Sequence, residues 1–333
     1  MPSLKEIKGR INSISSTLAI TSAMKMVAAA KLQKAQMAIQ NMLPYERRLH
    51  SMLIDLMGAM NISAAASEDG SVRGSGSAER GFDQSGDRLS LSNRHDLAGM
   101  DGAYSLMAQR EVRKVAIVAF ASNSSLCGAF NSNAIREATA VINEYRASGL
   151  GDADITVYSV GRKMAEAMKK LGFPSPADFT KMSDSPSYDA ASALAQELFD
   201  GFVSGRFDKV ELVYNHYKST SSQPTTRQTY LPLSLADATA DLQAGKIADS
   251  ASESDTNRGA EPVGAPVVRQ SSPTAEASDL IVEPSKEELI ATLLPKVIRL
   301  RIFTTLLDSA AAAHAARTEA MQLATDHGND LLQ

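Results

Sequence analysis

Leu4-Lys5-Glu6-Ile7-Lys8-Gly9-Arg10-Ile11-Asn12-Ser13-Ile14-Ser15-Ser16-Thr17-Leu18 sets Leu4, Ile7, Ile11, Ile14 and Leu18 at steps of three and four. This a/d spacing lays one apolar seam along a helix and requires a second helix to cover it. Ser3 and Glu6 stand at capping-box positions before the first turn. Pro44 should kink the helix rather than end it, because Leu49, Met52, Leu53 and Leu56 resume the pattern beyond it. About 55 residues at roughly 1.5 Å each predict a rod of roughly 80 Å, so reach is the expected purpose.

The covering helix is expected at the other end of the chain. Between Glu287 and Leu332 the residues Leu293, Val297, Leu300, Phe303, Leu307, Ala310 and His314 recur at similar steps, with Ser285 and Glu288 placed to cap. The two ends should therefore form a long antiparallel coiled coil, with everything between them inserted.

The inserted part divides by composition. Val115-Ala116-Ile117-Val118-Ala119-Phe120 has the apolar, β-branched character of a strand buried on both faces of a parallel sheet. Further strands are expected at 155–160 and 209–216, with helices near 132–147, 162–170 and 190–204, and an antiparallel edge at 225–233. Strands alternating with helices predict a small Rossmann-like α/β domain. The expected division is 1–60 for the first helix, 61–110 for a low-complexity insertion, 111–233 for the α/β domain, 234–280 for an acidic disordered linker, and 281–333 for the last helix. Gly70-Ser71-Val72-Arg73-Gly74-Ser75-Gly76 is no phosphate loop, since no strand precedes it and no Gly-Lys-Ser/Thr follows.

The chain has 333 residues and a net charge of −4, but residues 1–50 hold eight Lys/Arg against Glu6 and Glu46, a local excess of +6 that should face something acidic. The basic residues are too sparse, and the aromatics too few, for a nucleic-acid surface. Cys127 is the single cysteine, which excludes an intrachain disulfide and fits a reducing, cytoplasmic setting. The start of the chain lacks the apolar core of a signal peptide, and no run of about twenty apolar residues exists to span a bilayer.

No catalytic constellation emerges from the residues. The five histidines have no metal spacing, and Cys127 has no second thiol for zinc, so neither metal nor cofactor is expected. Cys127-Gly128 lies at a strand-to-helix turn, where α/β folds place ligands; a small buried residue at a tight turn is the preferred reading. His314 reads as a packed seam residue, and Met24 and Met26 as contact surface, since Met adapts to irregular partners.

Three groups of residues carry a family resemblance. Ile20-Thr21-Ser22-Ala23-Met24-Lys25-Met26-Val27-Ala28-Ala29-Ala30-Lys31-Leu32, Leu126-Cys127-Gly128-Ala129-Phe130-Asn131-Ser132-Asn133 and His314-Ala315-Ala316-Arg317-Thr318-Glu319-Ala320-Met321 closely resemble, in order, the signatures of the γ subunit of bacterial F-type ATP synthases. The resemblance implies a non-catalytic rotor, the central stalk that couples c-ring rotation to ATP synthesis or hydrolysis in the ring of α and β subunits. It implies that Met24, Lys25, Met26 and Lys31 meet an acidic lever loop of β, with Lys296, Arg299 and Arg301 extending the positive collar. By the same resemblance a foot including Asp208, Tyr214, Tyr217 and Lys218 should touch the c-ring and the ε subunit. It implies a peripheral position at the cytoplasmic face of the inner membrane.

Two departures from the family accompany the resemblance. The insertions are larger than the family usually carries, and the last helix is expected to be shortened by several turns. A chloroplast-like redox switch is excluded, because it needs two cysteines. The alternative reading is a small α/β nucleotide-binding domain or enzyme with a coiled-coil dimerisation arm; it predicts a ligand near Cys127 and self-association without α or β.

Overall fold

A computed structural model of the chain describes residues 4–68, 106, 110–233 and 285–332. The Ser3 cap, most of the 61–110 insertion, the 234–280 linker and the extended piece at 280–284 lie outside the described residues. Helix α1 runs Leu4–Glu68 with Pro44 inside it, so it extends past residue 61, where the low-complexity insertion is expected to begin. The α/β body follows as β1 (Val115–Phe120), α2 (Phe130–Ala147), β2 (Ile155–Val160), α3 (Arg162–Lys170), α4 (Thr180–Asp184), α5 (Tyr188–Val203), β3 (Lys209–Asn215) and β4 (Thr225–Leu231). Helix α6 runs Lys286–Asp330, and Ser285 Oγ accepts the Glu288 backbone N–H at 3.1 Å as its N-cap.

The sheet order is β2-β1-β3-β4, with β1 parallel to both β2 and β3 and β4 antiparallel to β3. Central strand β1 is fully buried, as its unbroken apolar run requires. Val115, Ile117 and Ala119 pack with Ala134, Ala138, Val141 and Ile142 of α2 and with Met164 and Met168 of α3. On β2, Tyr158 donates to Glu197 of α5 at 3.0 Å and meets the Phe207 ring edge-on at 6.1 Å.

The chain divides into two compact units. The first holds residues 1–46, the body at 106–233, and α6 from Lys296 onward. Within it α1 and α6 run antiparallel: Thr21 and Thr325 share a hydrogen bond at 3.1 Å, Leu32 packs with Ala311 and Ala315, and Thr304 donates to Glu46 at 3.0 Å. Gly328 lies against Leu18; a Cβ added to Gly328 would sit 2.9 Å from that side chain, so a larger residue there requires Leu18 to shift. The second unit includes the α1 and α6 segments from Arg47 and up to Pro295, where Leu49, Leu53, Leu56, Ile290 and Leu294 are buried.

The seam differs from its expected course at two places. Leu4, Ile7 and Ile11 are exposed and Ile14 and Leu18 half-buried, while burial on α1 begins at Thr21, which meets Thr325 of α6. Leu300 and Leu307 are buried, and half-buried Phe303 meets the ring of Tyr188 on α5 edge-on at 5.7 Å, a contact with the body that the seam spacing does not foresee.

Candidate partner interface

The face of α1 that α6 leaves open follows from the seam. Thr21, Ala28 and Leu32 are buried, with Ala35 and Ile39 half-buried, a step of three, four or seven that turns one stripe toward α6. The residues between them point away. Met26 is 65% exposed and Val27 58% exposed, Met24 and Lys25 are half-buried, and Lys31 and Lys34 are exposed. Two large apolar side chains in water, bracketed by lysines, form a surface that would gain by covering.

Beside this face is an open cleft of about 330 Å³. Met24, Val27 and Lys31 line it from α1, Ser124 from the turn after β1, and His314 and Arg317 from α6. Arg317 Nη2 donates to Ser124 Oγ at 2.7 Å, and Arg317 Nη1 lies 3.4 Å from His314 Nδ1. Burial, then the Arg317 and Lys31 cations, push the His314 imidazole down to about 4, so it is neutral and can accept from Arg317. The cleft therefore has two cations, Arg317 held by Ser124 and Lys31 at the exposed rim, on a mostly apolar wall, which suits an acidic segment with apolar neighbours. His314 and Arg317 were not foreseen as interface residues; their spacing of three on α6 was the available signal, but only the register places them opposite Lys31.

The expected collar does not assemble. Arg301 is 4% exposed, turned inward rather than outward. Arg299 is half-buried and donates to Gln196 of α5 at 2.6 Å. Lys296 is exposed, but the register sets α6 near residue 321 beside Lys25, so Lys296 lies roughly 35 Å along the helix from that point. The foot residues also separate. Asp208 accepts the backbone N–H groups of Arg113 and Lys114 at 3.0 and 2.9 Å at one end of β3, whereas Tyr217 and Lys218 follow its other end. Tyr214 is half-buried and Lys218 exposed; Tyr217 turns onto the helices, accepting from Gln36 at 2.7 Å.

Cys127 is 2% exposed and packs with Phe130, Ala312, Ala313 and Ala316, so α6 covers the thiol, whereas Ser124, Ser125, Leu126, Gly128 and Ala129 of the same turn are exposed. Asn131 fills the turn: its amide donates to Ser124 O and Cys127 Sγ, and its carbonyl accepts from Ser122 N and Oγ. Among the described residues no group of three or more His, Cys, Asp or Glu side chains could hold a metal ion, and no helix is long and apolar enough to cross a membrane.

A family model described as ATP synthase matches residues 3–333. The ATP synthase gamma chain of Phocaeicola vulgatus is 44% identical over 333 residues, covering 100% of this chain and 91% of that protein. The ATP synthase gamma chain of Bacteroides thetaiotaomicron is 42% identical with the same coverage, and that of Flavobacterium johnsoniae 34% identical over 331 residues. A chain of the Tetrahymena thermophila mitochondrial ATP synthase central stalk and c-ring superposes with a TM-score of 0.47 at 17% identity, covering 92% of this chain and 99% of that one.

Proposed function

We propose that this chain, which belongs to the family of ATP synthase γ chains, is the central rotor stalk of an F-type ATP synthase. It couples c-ring rotation to ATP synthesis or hydrolysis in the α/β ring and performs no chemistry itself. The helix pair is an antiparallel coiled coil, and the body is a Rossmann-like domain inserted in it. The observation that carries the reading is the one-sided face of α1, where exposed Met26 and Val27 stand beside Lys25 and Lys31 while the opposite stripe is sealed by α6. A shaft with one basic, apolar face and one closed face presents different surfaces to the three β subunits, so turning it changes each nucleotide site in sequence. Met24, Lys25, Met26 and Lys31, joined by His314 and Arg317 of the cleft, receive the acidic lever of β. The body meets the c-ring and ε, with Lys218 and Tyr214 as the contact residues, and the chain is peripheral to the cytoplasmic face of the inner membrane through the complex.

Reconstitution with the α, β, ε and c-ring subunits of the same organism tests this. The wild-type chain should assemble, stimulate ATP hydrolysis and support proton pumping. Lys25→Glu should leave assembly intact and lower protons pumped per ATP severalfold, because it sets like charges together at the lever contact. An isolated chain that binds nucleotide tightly and does not assemble would defeat the stalk reading.

A further inference from the structure

The β3–β4 connection does more than turn the chain. It is stiffened by its own bonds: His216 N donates to Pro224 O at 2.9 Å, and Gln223 Nε2 donates to Ser219 O and Thr220 O at 3.2 and 2.6 Å. Its base is tied into the body, where Thr225 donates to Asn215 Oδ1 at 2.8 Å and Asn215 Nδ2 donates to Phe130 O at 3.1 Å. From this rigid base the next two residues reach out to both long helices. Tyr217 N donates to Asp308 Oδ1 of α6 at 2.8 Å, and His216 Nδ1 lies 2.6 Å from Asp308 Oδ2. The Tyr217 hydroxyl accepts from Gln36 of α1 at 2.7 Å. The ring packs against two clusters at once, that of Cys127, Phe130 and Ala312 and that of Leu32, Ala311 and Ala315.

We propose that the β3–β4 hairpin is the clamp that fixes the α/β body to both long helices, with Tyr217 and Asp308 as positioning residues for the coupled reaction. Tyr217 is a place where body, α1 and α6 meet in one side chain, so a twist applied to the body reaches both helices together. With the clamp open, the body can rotate a little against the helices before they follow, and that slack is lost work. The role in coupling rests on the stalk reading; the clamp itself does not.

The test pairs two measurements on Tyr217→Phe, Gln36→Leu, the double variant, and Asp308→Ala. Hydrogen exchange on the full chain should rise severalfold at 33–40 and 216–224 in each and leave β1 protected, and the double variant should be no worse than either single, because both remove one bond. In the reconstituted complex, hydrolysis should stay within about twofold while protons pumped per ATP fall severalfold, since the catalytic contacts are untouched. Exchange that rises across the whole sheet, additive singles, or unchanged pumping beside raised exchange would each overturn the proposal. A wild-type chain that does not assemble would sink the stalk reading instead, while exchange alone would still decide the clamp.

Discussion

Gly161 shows how much one residue can decide. It ends β2 and opens α3 at φ 99°, and a Cβ there would lie 2.0 Å from the Ala121 carbonyl oxygen, backbone that cannot swing aside. Gly161→Ala combines a left-handed conformation with that clash and should destabilise the body on the order of 3 kcal/mol. Urea unfolding of the full chain measures it, and an unshifted midpoint would mean that the turn relaxes. The strand-to-helix turn at 160–162 was legible from the change of periodicity, but the need for glycine was not, because the obstructing oxygen belongs to a residue about forty positions earlier. Cys127 shows the opposite case: a small buried residue at a tight turn was the preferred reading, and at 2% exposure the thiol is one.

At the level of the element, β3 carries the least expected feature. Glu211 is 1% exposed in the middle of an apolar strand. Arg227 of β4 donates to it at 2.7 Å, Lys209 at 2.7 Å and the Tyr145 hydroxyl of α2 at 2.6 Å; Arg227 also pairs with Glu144. Burial opposes ionisation, but these donors outweigh it and hold the Glu211 carboxyl below its ordinary range. The network joins the antiparallel edge β4 to both β3 and α2. Glu211→Ala leaves two cations facing an apolar gap and should cost about 3 kcal/mol, whereas Glu211→Gln keeps acceptor geometry and should cost less. Calorimetric or urea unfolding separates the two variants; equal losses would mean that volume, not charge, matters. The strand itself was readable from its apolar run, yet a lone Glu within it revealed nothing of its partners.

For the whole molecule, two histidines make stability depend on pH in opposite directions. His314 titrates at about 4 when folded, below its ordinary value, so the unfolded chain takes the proton first and stability is lost as pH falls from roughly 6.5 toward 4. His216, raised by its bond to Asp308, contributes fully below its ordinary value, and that contribution fades as pH rises through the raised one. Thermal melts from pH 5 to 8.5 should therefore fall on the acid side in the wild type and stay level there in His314→Gln; an unchanged acid limb in that variant would exclude His314 as its cause. The sequence by itself determined the parts: two long helices from the three-and-four step of apolar residues, and an α/β body from alternating β-branched and helical runs, because those periodicities are properties of one local segment. Only the tertiary structure decided how the parts meet. A repeating seam is compatible with several sliding registers, and the one that sets Gly328 against Leu18 and Thr325 against Thr21 brings His314 and Arg317 to Lys31 and keeps Lys296 far from Lys25. The inward turn of Arg301 and the grip of Tyr217 on both helices follow from packing between residues that no local pattern relates.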